Sequence, residues 1–478
     1  MDKTVLKQKI NTLEKFPELN ASLVKKFGEI IERLAGWDLY RINPITFAKE
    51  NQLPEFDTIN MFICGAKIGI FNFEWNLICP MCGSIMKSHK SLGNVEKDKI
   101  HCSVCDIDIE VDLSQFVEVA FSIDESIENK MLDPFKDYFN DYRKYFFSKN
   151  FTPSKKLADY MSNIGIKGFY PIASDDTVKI NFKAKPNELY RLSNPDNNFL
   201  VKFVFNDQIS SIPEIIDIDL LSNGFSTKVY EIPAGDITIQ VKSHLPTKAG
   251  LQLLFVDYPF FTSITPVDFP TFQPYITGKM LLNNQIFRDL FRIQSLPKDL
   301  KLKVSNITIL FTDLKGSTEL YEKTGDMNAY NIVQDHFEVL KDSTKKYSGA
   351  IIKTIGDAIM AAFSRPSDGI MAALDMIDKI EEYNKNNTSD PISIKVGLNI
   401  GNALTVTAND MLDYFGQSVN IAARVQGLAG SQEIWFTENI YNDEISSILN
   451  SSKFNIEKKS ALLKGIAEPT IVYKTYKV

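Results

Sequence analysis

The sequence predicts a multidomain chain with three parts. These are a helical N-terminal region carrying a zinc ribbon, a β-sandwich-like middle domain, and a C-terminal α+β domain of the ferredoxin-like, palm type. Three observations predict this. Two Cys-x-x-Cys pairs stand nineteen residues apart, alternating apolar runs separated by Pro/Asn/Gly turns fill the middle, and from Val304 onward the pattern reads strand, helix, helix, hairpin, helix, strand. The expected boundaries are 1–112 (helical, winged-helix-like, with the ribbon at 79–105), 113–270 (β-rich), 271–303 (linker and transducer helix) and 304–478.

Composition sets outer limits. With 478 residues, 44% of them apolar and 24% charged, the chain is long enough for several ordinary globular domains. A net charge of −7 provides no basic footprint, so nucleic-acid binding is not expected. No apolar run approaches the roughly 18 residues of a membrane span. The start, MDKTVLKQKINTLEKF, lacks the apolar core of a signal peptide, and a cytoplasmic location is expected.

Taking the chain in order, Leu23, Phe27, Ile30, Ile31 and Leu34 recur at helical spacing. Two further short helices are expected around Leu53-Pro54, followed by a strand over Ile68 to Trp75. Cys79, Cys82, Cys102 and Cys105 have the spacing of a structural site for one Zn²⁺, in which four thiolates leave no open coordination position. Disulfides and independent redox pairs are the competing readings of these cysteines, and a reducing compartment argues against disulfides. The remaining cysteine, Cys64, ends an apolar run and suits a buried position.

Between Glu110 and Phe261, Val117, Val119 and Phe121 alternate, as do Val178, Ile180 and Phe182, and Ile237, Ile239 and Val241. Tyr230 and Ile232 are expected on the strand paired with the last of these. A β-sandwich is the predicted outcome. Leu132 to Phe147 reads as a helix, and the Pro- and Phe-rich stretch Tyr258 to Tyr275 as an extended segment held against a surface. Lys279 to Leu296 carries Leu282, Ile286, Phe287, Leu290, Phe291 and Ile293 at helical spacing, ahead of Pro297.

The C-terminal third carries the chemistry. Ile307 to Phe311 reads as a buried strand that delivers Asp313 at its end. Leu314-Lys315-Gly316-Ser317-Thr318 then turns into a helix. Gly316 allows close backbone approach, and the helix N-terminus aims N–H groups at an anion. Ile351 to Thr354 and Ala358 to Phe363 read as a hairpin with Ile355-Gly356-Asp357 at its tip. Two aspartates beside a phosphate-binding turn suit Mg²⁺, which takes few carboxylates plus substrate phosphates. Tyr330, Val333, Phe337 and Leu340 form one core stripe, Ile370, Leu374, Ile377 and Ile380 another. Asn420 and Arg424, four residues apart, share one face of a helix that starts near Gln417.

The segments FTDLKGST (311–318), KTIGDAIMAAF (353–363) and DYFGQSVNIAARV (413–425) resemble the motifs of the class III nucleotidyl cyclase catalytic domain. The resemblance runs from about Val304 to the C-terminus. It implies cyclisation of ATP with release of pyrophosphate. Two Mg²⁺ (or Mn²⁺) ions would be held by Asp313, Asp357 and the Leu314 carbonyl. The backbone of Lys315, Gly316, Ser317 and Thr318 would cradle phosphates, Lys353 and Asp413 would read the base, Asn420 would orient the ribose, and Arg424 would stabilise charge on the α-phosphate. Adenine fits Lys353 and Asp413 because it presents an acceptor at N1 and a donor at N6. The family's phosphate-binding lysine corresponds to Lys464, with Lys458 and Lys459 close by. Ser317 and Phe415 stand where many relatives have an aromatic residue and Trp. The resemblance also implies a homodimer with sites shared between chains. The stretch LICPMCGS…HCSVCDIDIEVDLSQFVEVAF is similar to an uncharacterised domain found upstream of some bacterial cyclases, which implies regulation by an unnamed ligand or protein. The alternative reading is a zinc-ribbon regulatory or scaffold protein whose cyclase-like domain only senses nucleotide. The Gly-Gly-(Asp/Glu)-Glu-Phe turn of diguanylate cyclases is absent.

Overall fold

The computed structural model describes residues 1–92, 98–129, 132–206, 214–291, 301–386, 391–408, 411–452 and 454–477. Four helices open the chain: Lys3–Leu13, Ala21–Ile31, Pro44–Glu50 and Glu55–Lys67. Asp2, Asn20 and Asn43 cap the first three, each side chain accepting backbone N–H groups that the first turn leaves without partners. The stripe on the second helix buries Val24, Phe27 and Ile31, and the Phe27 ring packs edge-on against Phe47, Phe62 and Phe71. The fourth helix is buried at Thr58 and at every position from Asn60 to Gly65. It has no open face to lay in a nucleic-acid groove, so the winged-helix expectation does not extend to a recognition helix.

These helices pack on a three-stranded sheet of order Ile85–His89, Phe71–Ile78, Val117–Ile123. The sequence reading placed Val117–Ile123 in a β-rich domain starting at 113, but it pairs with Phe71–Ile78, from Phe71 opposite Ile123 to Leu77 opposite Val117. Its apolar residues on both faces explain this, since six of its seven positions are buried between layers. A hairpin of Lys99–Cys102 and Ile107–Glu110 completes the cysteine ribbon.

The sandwich spans Ile166 to Val256. Its five-stranded sheet has the order Val229–Ile232, Phe199–Phe205, Leu189–Asn194, Ala249–Val256, Ile166–Ile172. Its four-stranded sheet has the order Gly224–Phe225, Ile216–Leu221, Gly235–Ser243, Thr177–Ala184. Leu192, Phe203, Leu251 and Leu253 meet Ile180, Ile218, Ile239 and Val241 between them. The expected pairing of the Tyr230/Ile232 strand with Ile237–Val241 does not form. Val229–Ile232 runs parallel to Phe199–Phe205 in the opposite sheet, while Gly235–Ser243 takes Thr177–Ala184 and Ile216–Leu221 as neighbours.

Three other expectations are revised. Within Leu132 to Phe147, helix covers only Tyr138–Phe146 and begins as a π turn. The segment after Tyr258 opens with a short helix, Tyr258–Thr262, rather than running extended. The single transducer helix is two, Gly278–Leu282 and Gln285–Leu290, because Asn283 and Asn284 interrupt it. The Asn284 side chain caps the second helix by accepting from the Phe287 N–H, a role asparagine takes in preference to a helix interior. Ile293, Leu296 and Pro297 lie outside the described residues.

The C-terminal domain is a seven-strand path with an added strand. The order is Ala350–Ile355, Ala358–Phe363, Leu302–Leu314, Ile394–Ala408, Glu433–Thr437, Thr470–Lys477, Phe454–Ala461, with Met411–Phe415 pairing off Ile394–Ala408. The first four strands follow the 2-3-1-4 order of a ferredoxin-like β-α-β-β-α-β unit. Its two long helices, Asp326–Lys346 and Pro366–Asn386, bury Val333, Leu340, Ile370 and Ile377 on one face of the sheet. The other face joins the N-terminal core. One apolar cluster runs from Phe27 and Phe62 through Trp75, Phe121 and Phe287 to Ile309 and Met360.

Candidate active site

Strand Leu302–Leu314 carries Asp313 at its end, and hairpin strands Ala350–Ile355 and Ala358–Phe363 deliver Asp357 at their turn. Gly356, at φ +63°, makes that turn possible. Phe311 lies opposite Met360, and the Ile359 N–H donates to Thr312 Oγ1 at 3.3 Å. Continuing this register sets Ala358 opposite Asp313, so the turn carrying Asp357 lies at the same sheet end as Asp313. The Asp313 carboxylate meets Lys395 Nζ at 2.6 Å. Asp357 Oδ2 is buried with no hydrogen-bond partner among the described residues. Two carboxylates at one sheet end, one with an orphaned buried oxygen, are a donor set that fits a divalent cation. Beneath them lies His336, whose imidazole burial drives down to about 4 although both aspartates pull the other way. It is therefore neutral.

Gly316 stands at φ +77° at the start of helix Ser317–Thr324, and a Cβ there would meet nothing within 4 Å. The first-turn N–H groups of that helix have no intrahelical acceptor. The expected contribution of Lys315 is revised, since its N–H already donates to the Ser393 carbonyl at 2.7 Å.

Lys353 and Asp413, sixty residues apart, form an ion pair of 2.6 Å. Asp413 Oδ1 also accepts the Tyr414 N–H at 2.7 Å. The two short helices before the domain brace both strands of this pair. Arg288 donates to the Leu412 carbonyl, Tyr414 O–H donates to Asn283, and the Ile351 N–H donates to Gln285.

Asn420 and Arg424 project from helix Gln417–Gln426, Asn420 exposed and Arg424 half-buried. That helix lies almost on the backbone of Ile394–Ala408. A Cβ at Gly397 would come within 2.1 Å of the Gln426 nitrogen, and one at Gly401 within 2.2 Å of Ser418 Oγ. The Arg424 guanidinium sits beside Gly465, 3.4 Å from where its Cβ would be. Of the three candidate lysines, Lys458 is engaged by Glu438 and Lys459 by Glu457. Lys464, next to Gly465, is exposed and has no ion pair among the described residues. No hydrogen bond or ion pair among the described residues joins Asn420 or Arg424 to the two aspartates.

Residues 301–475 match the family model of the adenylate and guanylate cyclase catalytic domain. The C-terminal domain is a cyclase domain. Residues 6–209 match a family of unknown function (DUF5939). Among curated relatives, the chain is 27% identical over 183 residues to an adenylate cyclase of Anabaena cylindrica, covering 35% of this chain and 36% of the relative. It is 25% identical over 140 residues to the serine/threonine-protein kinase pkn2 of Myxococcus xanthus, covering 29% of this chain and 16% of the relative. The chain thus spans well under half the length of either. The crystal structure of the adenylyl cyclase CyaB from P. aeruginosa is similar over 37% of this chain and 97% of that one, at 20% identity and a TM-score of 0.33. No helix among the described residues is long and apolar enough to cross a membrane.

Upstream of the cyclase domain, the four ribbon cysteines hold their sulfur atoms within 4.8 Å of one another. Cys82 and Cys102 Sγ are 3.7 Å apart, Cys79 and Cys105 Sγ 3.9 Å. Zinc–sulfur bonds of about 2.3 Å in a tetrahedron separate sulfurs by about 3.8 Å. The donor set therefore fits Zn²⁺, and the thiols are not paired as disulfides. Sequence reasoning missed His336 and Lys395 in the cyclase domain. His336 sits one residue off the expected apolar stripe, and Lys395 reads as an ordinary outward-facing strand residue between Ile394 and Val396.

Proposed function

We propose that the chain is an adenylate cyclase, converting ATP to 3′,5′-cyclic AMP and pyrophosphate at sites shared across a homodimer and regulated by its N-terminal region. The observation that carries this reading is the Lys353–Asp413 pair. An ammonium and a carboxylate 2.6 Å apart offer a donor and an acceptor side by side, the complement of adenine N1 and N6. Guanine presents the reverse pattern to that pair.

In the proposed reaction the 3′-oxygen bonds to the α-phosphorus, the bond from that phosphorus to the bridging oxygen breaks, and pyrophosphate leaves with the electron pair. The 3′-hydroxyl proton passes to solvent. Asp313, Asp357 and the Leu314 carbonyl would hold two Mg²⁺ or Mn²⁺ ions. Bound there, the cations supply Lewis-acid activation of the hydroxyl and neutralise the triphosphate. The N–H groups at Gly316, Ser317 and Thr318 would receive phosphate oxygens. Asn420 orients the ribose, and Arg424 stabilises the charge that builds on the α-phosphate. Lys464, beside Arg424 through Gly465, is the lysine best placed to meet the triphosphate.

Sharing between chains is supported by the absence, among the described residues, of a hydrogen bond or ion pair between Asn420 or Arg424 and the two aspartates, and by exposed apolar side chains around them. Ile355, Met411, Phe415 and Leu462 are each at least half exposed beside Asp357, Asp413 and Lys464. Regulation is supported by the helices 278–290, which touch the N-terminal core on one side and the base-reading strands on the other. One structural Zn²⁺ in the ribbon completes the proposal. The test is product formation by the purified full chain with ATP and with GTP, in Mg²⁺ and in Mn²⁺. Cyclic AMP as the main product supports the reading. Cyclic GMP in its place, or nucleotide binding with no turnover, overturns it.

A further inference from the structure

A cavity of about 580 Å³ lies where the cysteine ribbon, the outer face of the sandwich and the segment 258–270 meet. Its size falls in the range of roughly 300–1,000 Å³ typical of small-molecule sites. The floor is set by strand alternation. Leu192, Leu251 and Leu253 face the sandwich core, so Arg191, Gln252 and Leu254 stand on the opposite face, with Arg191 directly across from Leu254. Polar atoms line this apolar space without partners. Arg191 Nε, Gln252 Oε1 and Tyr138 Oη are all buried, and none has a hydrogen-bond partner among the described residues. Leaving such groups unpaired is unfavourable, and three at one cavity do not describe a sealed core.

Two guanidiniums, Arg143 and Arg191, reach the cavity and offer N–H donors to an anion beside the Cys82 and Cys105 sulfurs of the wall. The Arg191 Nη atoms are anchored to the carbonyls of Val104 and Cys105 and to Asp106, which leaves Nε–H unused. Arg143 lies over the Phe147 ring and has no carboxylate within ion-pair distance among the described residues. The one carboxylate in the lining, Asp268, is engaged by Lys156. The Gln252 amide can turn its nitrogen toward an oxygen. The mouth is apolar, since Phe139, Tyr258, Phe261 and Phe269 are 39–60% exposed there.

We propose that this cavity binds a free carboxylic acid with an apolar body, its carboxylate received by Arg143, Tyr138, Arg191 and Gln252 and its hydrocarbon by Leu254 and the aromatic mouth. Binding stands apart from the cyclase reading; only its use as the regulatory input rests on it. Calorimetric titration of the full chain with decanoate, below its micelle concentration, tests binding without reference to cyclase activity. The expected result is saturable binding of one decanoate per chain, at least about tenfold tighter than decanol, because charge-assisted hydrogen bonds are lost with the alcohol. Ala158→Trp, which fills the cavity from its wall, and Arg143→Leu, which removes the free cation, should each weaken decanoate at least about tenfold while leaving the melting temperature unchanged. No saturable binding, equal binding of decanol, or unchanged binding in folded Arg143→Leu overturns the proposal. So does co-sedimentation with phosphatidylcholine vesicles in place of free-acid binding, which assigns the mouth to a membrane surface.

Discussion

In the proposed reading Lys353 and Asp413 select the base, because a half-buried hydrogen-bonding pair rejects a ring whose donors and acceptors are reversed. Lys353→Glu with Asp413→Cys should lower kcat/KM for ATP by about 10- to 100-fold and raise relative use of GTP, as two unpaired contacts at about 1–3 kcal/mol each would give at the low end. Competition assays measuring both cyclic nucleotides check this, and an unchanged preference for ATP would show that other residues read the base. A second residue-scale effect sits in the sandwich. Burial pushes the Asp196 carboxyl up to about 6 from an ordinary 3.8, against hydrogen bonds from Tyr142, Asn194 and Gly250. Between these values the folded state keeps the proton that the unfolded chain has lost, so stability falls as pH rises from about 4 to 6. Asp196→Asn should flatten that slope and raise stability above pH 6 by up to about 3 kcal/mol, measured by denaturant melts across the window. At this scale the motif residues were legible, since Asp313, Asp357, Asn420 and Arg424 sit in runs whose spacing matches a known pattern. His336 and Lys395 were not, because what makes them notable is a tertiary neighbour.

Among elements, helix Gln417–Gln426 is held to its strand by two glycines. Gly397→Ala would drive a methyl group into the Gln426 backbone, which cannot swing aside as a side chain can. A loss of about 1–3 kcal/mol is expected. Asn420 and Arg424 ride on that helix, so activity should fall with the melting temperature, and a variant matching wild type in both would contradict the close approach. The ribbon is the other element with a clear prediction. The purified protein should carry one zinc per chain, and a strong chelator should lower its melting temperature, because structural zinc binding contributes folding free energy directly. Metal analysis finding none would remove the zinc assignment. The cysteine spacing made the ribbon visible in advance. The pairing of Val229–Ile232 was not visible, because alternation marks a strand's faces but not which sheet it joins. The break at Asn283-Asn284 was overlooked for a different reason. The apolar stripe continues in phase on both sides, and only the capping preference of asparagine signals the interruption.

At the scale of the whole molecule, one apolar core runs from Phe27 to Met360, so the N-terminal region and the cyclase sheet fold against each other. The expected boundary at 112/113 failed for this reason, as the chain returns at Val117–Ile123 to complete an earlier sheet. The ferredoxin-like order was easier to anticipate, because local stripes and a short hairpin already restrict how those elements can connect. What a single chain leaves open is the meeting of the metal end with Asn420 and Arg424, and the two-fold symmetry of the proposed homodimer would bring one chain's set opposite the other's. Asp313→Asn and Arg424→Ala each remove one set, so each variant alone should be nearly inactive. The decisive measurement is cyclic AMP formation from ATP by the two variants mixed, with subunit exchange confirmed independently. About a quarter of wild-type activity is predicted, since random pairing makes half the dimers mixed and each mixed dimer has one intact site. A mixture as silent as its components would contradict the shared site.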